Sequence, residues 1–271
     1  MYGNEGATAV CERPCRARAA LVSNQGKSLA IRFGDELWAR LPVRTELFER
    51  GDDVAAKVTR YVDRTVRRTH PGLAIGTGFD KTWYAVVSEK VVAISQGRSY
   101  FTWEIRTGLA ARVLSRYVAR TEYGIGLGCP STMQLAIQEA GLGRILLASA
   151  AGAAGKVLKR KGDFYRVAGN RVNTIDGPTP YSAYPSNVSA KLPPKDPARV
   201  AQQVSAAIRA TLPAVVAATF GGTVVIDAND LGREVLGQDT DRPEAFFAEL
   251  FADNPLGQGR QQTPVAVCFQ L

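Results

Sequence analysis

Three oxygen-bearing side chains, Asp227, Asn229 and Asp230, stand where the apolar run of "TVVIDANDLGREVLG" (223–237) ends. Carboxylate and amide oxygens are hard ligands suited to magnesium or manganese, which take one or two carboxylates and fill the remaining positions with water and phosphate oxygens. In α/β sheets ligands gather beyond the carboxyl ends of strands, so acids at a strand end are well placed for such work. Asp176, at the end of "DFYRVAGNRVNTIDGPT", is a second acid of this kind and a candidate to complete a site. Gly232 and Arg233 follow directly, and "FADNPLGQGRQQTP" supplies Gly257, Gln258, Gly259 and Arg260. Glycines allow close backbone approach to phosphate, and arginine holds its oxygens in pairs. The same residues also suit ordinary turns and caps, and their spacing leaves both readings open.

Two glycine-rich segments look like nucleotide loops and fail on inspection. In "GIGLGCPSTMQLAIQEAGLG", Gly124, Gly126 and Gly128 precede a helix with Ser131 as candidate N-cap, but Cys129 stands where a dinucleotide fingerprint needs glycine. In "ASAAGAAGKVLKRKG", Ala150 and Val157 replace the glycine and the hydroxyl residue of a phosphate-binding loop. The single histidine, His70, precedes Pro71 at a helix end; a Ser-His-Asp triad would depend on it, and zinc sites with two histidines are excluded. Cys11, Cys15, Cys129 and Cys268 are too few and too scattered for a disulfide framework.

Elements that would position the acids can be read from periodicity. Val54, Val58, Tyr61, Val62 and Val66 predict an amphipathic helix over 52–68, with Asp52 and Asp53 at its start and a basic outer face. "TWYAVVSEKVVAISQGR" (82–98) is rich in β-branched and aromatic residues and predicts one or two strands ending at Gly97 and Arg98. "EIRTGLAARVLSRYVAR" returns to a helical period. "DFYRVAGNRVNTIDGPT" predicts a hairpin turning at Gly169 and Asn170, with Asp176 just past its second strand. Asp196 and Pro197 open a helix carrying Val200, Val204 and Ile208 on one face. The strand that opens "TVVIDANDLGREVLG", a helix in "RPEAFFAELFADN" and a last strand in "TPVAVCF" give the C-terminal half an alternation of strand and helix.

With 271 residues, 45% of them hydrophobic, the chain can bury a sizeable core. It has no long uncharged apolar stretch and no internal repeat, so a soluble, cytoplasmic α/β protein without membrane partners is expected. The formal net charge of +9 suits nucleic acid, an anionic membrane surface or a small polyanionic substrate alike.

Four ordered blocks resemble the family of coenzyme F-420 gamma-glutamyl ligases: "PVRTELFERGDDVAAKV", "VVSEKVVAISQGR", "SNVSAKLPPKDP" and "VVIDANDLGRE". The resemblance runs from about residue 42 to the C-terminus. It implies a mixed-sheet, two-lobed α/β (α+β) ligase fold over 42–271, with 1–41 as a partly ordered N-terminal extension. It further implies GTP or ATP as co-substrate, Mg2+ or Mn2+, and L-glutamate joined as an amide to a carboxylate such as the deazaflavin's phospholactyl tail. The amide would form through an acyl phosphate. A homodimer is implied, and nucleic acid is not an expected partner. By position, Asn229 and Asp230 match metal-binding residues, with Asp227 as a replacement ligand and Asp176 in place of an aspartate that would fall at Tyr184. Lys90, Arg98, Asn187, Gly257, Gln258 and Gly259 match nucleotide-side positions, and Asp227, Asp230 and Arg233 are the expected catalytic residues. Ile94 and Gln96 depart from the family, as does the region 100–165.

Overall fold

Three apolar runs, Trp83–Val87, Thr223–Ile226 and Val265–Phe269, are buried along their whole length. Strands this apolar must be covered on both faces. The computed structural model describes residues 21–69, 79–118, 126–160, 162–178, 187–229, 232–257 and 261–271, and it meets that requirement. Six strands form one mixed sheet in the order β1 (Ala30–Phe33), β2 (Glu36–Val43), β8 (Val265–Gln270), β3 (Trp83–Ser88), β6 (Phe220–Ala228) and β7 (Arg233–Asp239). Only β3 and β6 run parallel; the other four pairings are antiparallel.

The period of two along each strand sorts side chains between two cores. Ala85, Val87, Val225 and Val267 face α1 (Val54–Thr69) and α8 (Pro197–Thr211), which contribute Val58, Val62, Val204 and Ile208. Tyr84, Val86, Val224 and Ile226 face α10 (Glu244–Leu250), where Phe246 and Phe247 pack edge-on against Tyr84. Gly237 in β7 lets the start of α8 lie close, since a Cβ there would stand 2.3 Å from the backbone nitrogen of Ala198. Gly237→Ala should therefore cost about 1–3 kcal/mol, and thermal unfolding should show a melting temperature lower by roughly 3–10 °C.

A third core lies outside the large sheet. The short antiparallel pair β4 (Ser99–Phe101) and β5 (Ser189–Lys191) packs with α3 (Leu109–Leu114), α4 (Pro130–Ala140), α5 (Leu142–Val157), α6 (Asp163–Ala168) and α7 (Asn170–Asn173) around Ala111, Met133, Leu135, Ile145, Val172, Ala190 and Leu192. With α2 (Glu89–Ser95) and α9 (Ala214–Ala217), the described residues hold ten α-helices.

Several expectations are corrected. The hairpin expected around Gly169 is the helix pair α6 and α7: Phe164, Ala168, Val172 and Ile175 recur every three or four residues and pack into the third core. Gly169, at φ 97°, makes the break between the helices. The second half of 82–98 is helix rather than strand: Ser88 caps α2, and Val91 and Val92 are buried from a helical face. β-branched residues favour strands only weakly, and burial overrides them here. Cys129, not Ser131, takes the N-cap position of α4, with Pro130 in its first turn. Strand β6 turns back into β7 before any helix follows, so the expected alternation fails at that point. The boundary drawn between 41 and 42 falls inside β2, which pairs with β8 on both sides of it. Asp196 and Pro197 do open α8, and the rejected phosphate-binding loop is the body of α5. His70, Cys11 and Cys15 lie outside the described residues.

One ion pair ties the edge of the sheet down. The fully buried Arg40 of β2 donates to the Leu250 carbonyl at 2.8 Å, to the Ser28 carbonyl at 2.6 Å and to both carboxylate oxygens of Asp253. Burial alone would raise the Asp253 pKa, but Arg40 and the Ser28 N–H more than offset it and hold it below the ordinary carboxylate value. A lowered folded-state pKa gives stability that is present above the unfolded value and lost as pH falls through the folded one. Melting temperature should thus fall more steeply below about pH 4 in the wild type than in Asp253→Asn.

Candidate active site

Because β3 and β6 are parallel and adjacent, their carboxyl ends coincide. Ser88 stands opposite Ile226, and the next residues along are Glu89 and Asp227. Glu89 begins α2 and is 3% exposed. Lys191, the last residue of β5, reaches the same spot from the small sheet, and its Nζ donates to Glu89 Oε2 at 2.8 Å. The ammonium also lies 3.2 Å from Asp176 Oδ2. Backbone bonds in both directions between Asp176 and Lys191, 3.0 and 2.9 Å long, lock that acid beside the lysine. Asp227 is half-buried and interacts electrostatically with Glu89 and Lys191.

Charge governs this cluster. Burial works against the Lys191 ammonium, yet Glu89, Asp176 and Asp227 together outweigh it and hold the lysine pKa above its ordinary value. Burial pushes Glu89 upward, Asp227 and Asp176 add to that, and Lys191 pulls it back. Glu89 Oε1 is buried and has no hydrogen-bond partner. An unpaired buried carboxylate oxygen is costly, and a bound ion is one of the partners that can satisfy it.

The opening stretch now has a local explanation as well. Asn229 and Gly232 close the β6–β7 hairpin: the Asn229 N–H donates to the Gly232 carbonyl at 2.9 Å, and the Gly232 N–H to Asn229 Oδ1 at 2.8 Å. Asn229 is thus a turn former, while Asp227, one strand position before Ala228, faces the cluster's charges. Asp230, Gln258, Gly259, Arg260 and Tyr184 lie outside the described residues.

The remaining expected residues scatter over several roles. Arg233 starts β7 opposite Ala228, is exposed, and donates to the Ala252 carbonyl at 3.4 Å. Lys90, half-buried, follows Glu89 in the first turn of α2. Arg98 is buried and spends its guanidinium inside the protein, on the Pro193 carbonyl and on Glu139 Oε2 at 2.9 Å. Asn187 is exposed at φ 66°, two residues before β5. Gly257, at φ 77°, begins the stretch that leads into β8, and Pro264 at its far end accepts the Ser88 N–H at 2.8 Å. That stretch therefore enters the sheet beside Glu89. Asp176 and Asp227 both act electrostatically on Glu89 and Lys191, two residues that sequence reasoning missed. Their signal was a charged residue inside an otherwise apolar block: Glu89 after "AVVS", and Lys191 between Ala190 and Leu192.

No three histidine, cysteine, aspartate or glutamate side chains among the described residues group closely enough to enclose a metal. Mg2+ and Mn2+ need no such cage, since two carboxylates with water and phosphate oxygens suffice. Asp176, with a half-exposed side chain, and Asp227 carry hard oxygens of that kind, and Glu89 keeps one oxygen without a hydrogen-bond partner. The donor chemistry fits a hard divalent cation. A scan against protein-family models gives no match, and comparison with curated proteins gives no significant relative.

Proposed function

We propose that the chain is a nucleotide- and divalent-metal-dependent amide ligase, joining the amino group of glutamate or a related amine to a substrate carboxylate, as in coenzyme F-420 glutamylation. The observation that carries this reading is the meeting of Glu89, Asp227, Asp176 and Lys191 where the two parallel strands end. The ordered blocks that resemble the gamma-glutamyl ligases support it independently. Phosphoryl transfer demands positioning and charge neutralisation rather than a covalent protein group, so a site without histidine suffices. Asp176 and Asp227 would hold Mg2+ or Mn2+, and the bound cation would neutralise the phosphates of GTP or ATP. Lys191 fixes Glu89 and Asp176 in place. As the resemblance implies, Gly257, Asn187 and Lys90 would lie on the nucleotide side.

The outer face of α1 argues against a polyanion-binding role. Arg60 pairs with Glu46, Arg67 with Asp63 at 2.7 Å and Lys57 with Asp52 at 2.6 Å, so much of its charge is already answered. A homodimer has support in exposed apolar side chains, Leu109, Val113 and Tyr117 at every fourth position, and in exposed Trp103. Phosphate release from GTP and from ATP, with Mn2+, glutamate and deazaflavin acceptor supplied or withheld one at a time, tests the reading. Release that needs both acceptors supports a ligase, release without either one makes it a hydrolase, and no nucleotide consumption defeats both.

A further inference from the structure

We infer that Lys191 serves as a built-in cation in the carboxylate cluster, so that the site takes one divalent metal ion per chain rather than two. The inference rests on the metal-dependent reading above and narrows it. Sites for phosphoryl transfer neutralise their charge with one or two divalent ions. Here the Lys191 ammonium lies between two carboxylates, 2.8 Å from Glu89 Oε2 and 3.2 Å from Asp176 Oδ2, where a bridging metal ion would otherwise stand. It cannot leave: its side chain is 5% exposed, and its backbone is held to Asp176 by two hydrogen bonds. Among the described residues, Glu89, Asp176 and Asp227 all act on this one ammonium, which takes one cation position and leaves their remaining oxygens for a single divalent ion. The position for that cation is marked by Glu89 Oε1, an oxygen fully removed from water with no partner of its own, while Oε2 is taken by the lysine. With Lys191 filling the space between Glu89 and Asp176, a second metal ion would have to displace a buried charge already paired.

The test is the number of Mn2+ ions bound by the full-length chain without nucleotide, counted from the loss of the free-ion electron paramagnetic resonance signal. The expected result is one Mn2+ per wild-type chain, retained in Lys191→Arg. In Lys191→Met, which leaves the carboxylates without their internal cation, a second Mn2+ should bind. Two Mn2+ per wild-type chain, or none, overturns the inference, as does a folded Lys191→Met that still binds one. If Lys191→Met does not fold, the wild-type count decides alone. The two readings fail separately. Two Mn2+ with glutamate-dependent GTP consumption leaves the ligase reading intact and removes the inference, whereas one Mn2+ with no GTP consumption does the reverse.

Discussion

Lys191→Met will lower the melting temperature by roughly 6–20 °C. Removing one partner of a buried ion pair costs about 3–5 kcal/mol, because the other charge is stranded away from water, and each kcal/mol moves the midpoint by about 2–4 °C in a chain of this size. The stranded partner is Glu89, which already has one oxygen without a hydrogen bond and would then have none satisfied by Lys191. The double variant Glu89→Gln with Lys191→Met should recover much of the loss, since replacing both charges together removes the uncompensated one. Thermal unfolding of the four proteins forms a closed cycle, and the expected coupling is large. A Lys191→Met midpoint within about 2 °C of wild type would mean that the pair contributes little to the fold.

Asp227→Asn should reduce metal-dependent GTP turnover by roughly 100-fold or more, the usual loss when a group that stabilises transition-state charge is removed. The fold should hardly change. Asp227 is half-buried at the end of β6, its neighbours in the sheet are held by backbone pairing with β7, and the amide keeps nearly the same shape. Phosphate release and thermal unfolding are measured on the same preparations. Undiminished turnover in Asp227→Asn would take this residue out of the mechanism, and lost turnover with a much lower midpoint would make its role structural.

The main sheet was legible where a strand is apolar through and through. Trp83–Val87, Val224–Ile226 and Val265–Val267 could be recognised because a fully buried strand leaves no room for polar residues. The helix at 54–69 was equally plain, its valines spaced for one buried stripe. The third core was not, because short helices such as α6 and α7 carry too few turns for a period to stand out, and Gly169 with Asn170 imitates a hairpin turn. Part of the candidate site was visible for the same reason. Asp227 announces itself as an acid after an apolar run, whereas Asp176 was expected behind a strand that is in fact helix α7, and the importance of Glu89 and Lys191 comes from burial and from a contact across 102 residues of sequence. Nothing local encodes such a contact.

Strand β5 contains just three residues, and its alignment with β4 is set by Ser99 opposite Lys191, Tyr100 opposite Ala190 and Phe101 opposite Ser189. So short a ladder has little power to choose among alignments by backbone bonding. A slip of one residue would exchange Lys191 for Ala190 or Leu192, drive an ammonium into the apolar packing those two now fill, and leave Glu89 facing a hydrocarbon. The ion pair thus acts as a proofreader of chain alignment. Insertions and deletions near residues 189–191 should be tolerated only where the chain can absorb them before the lysine takes its place.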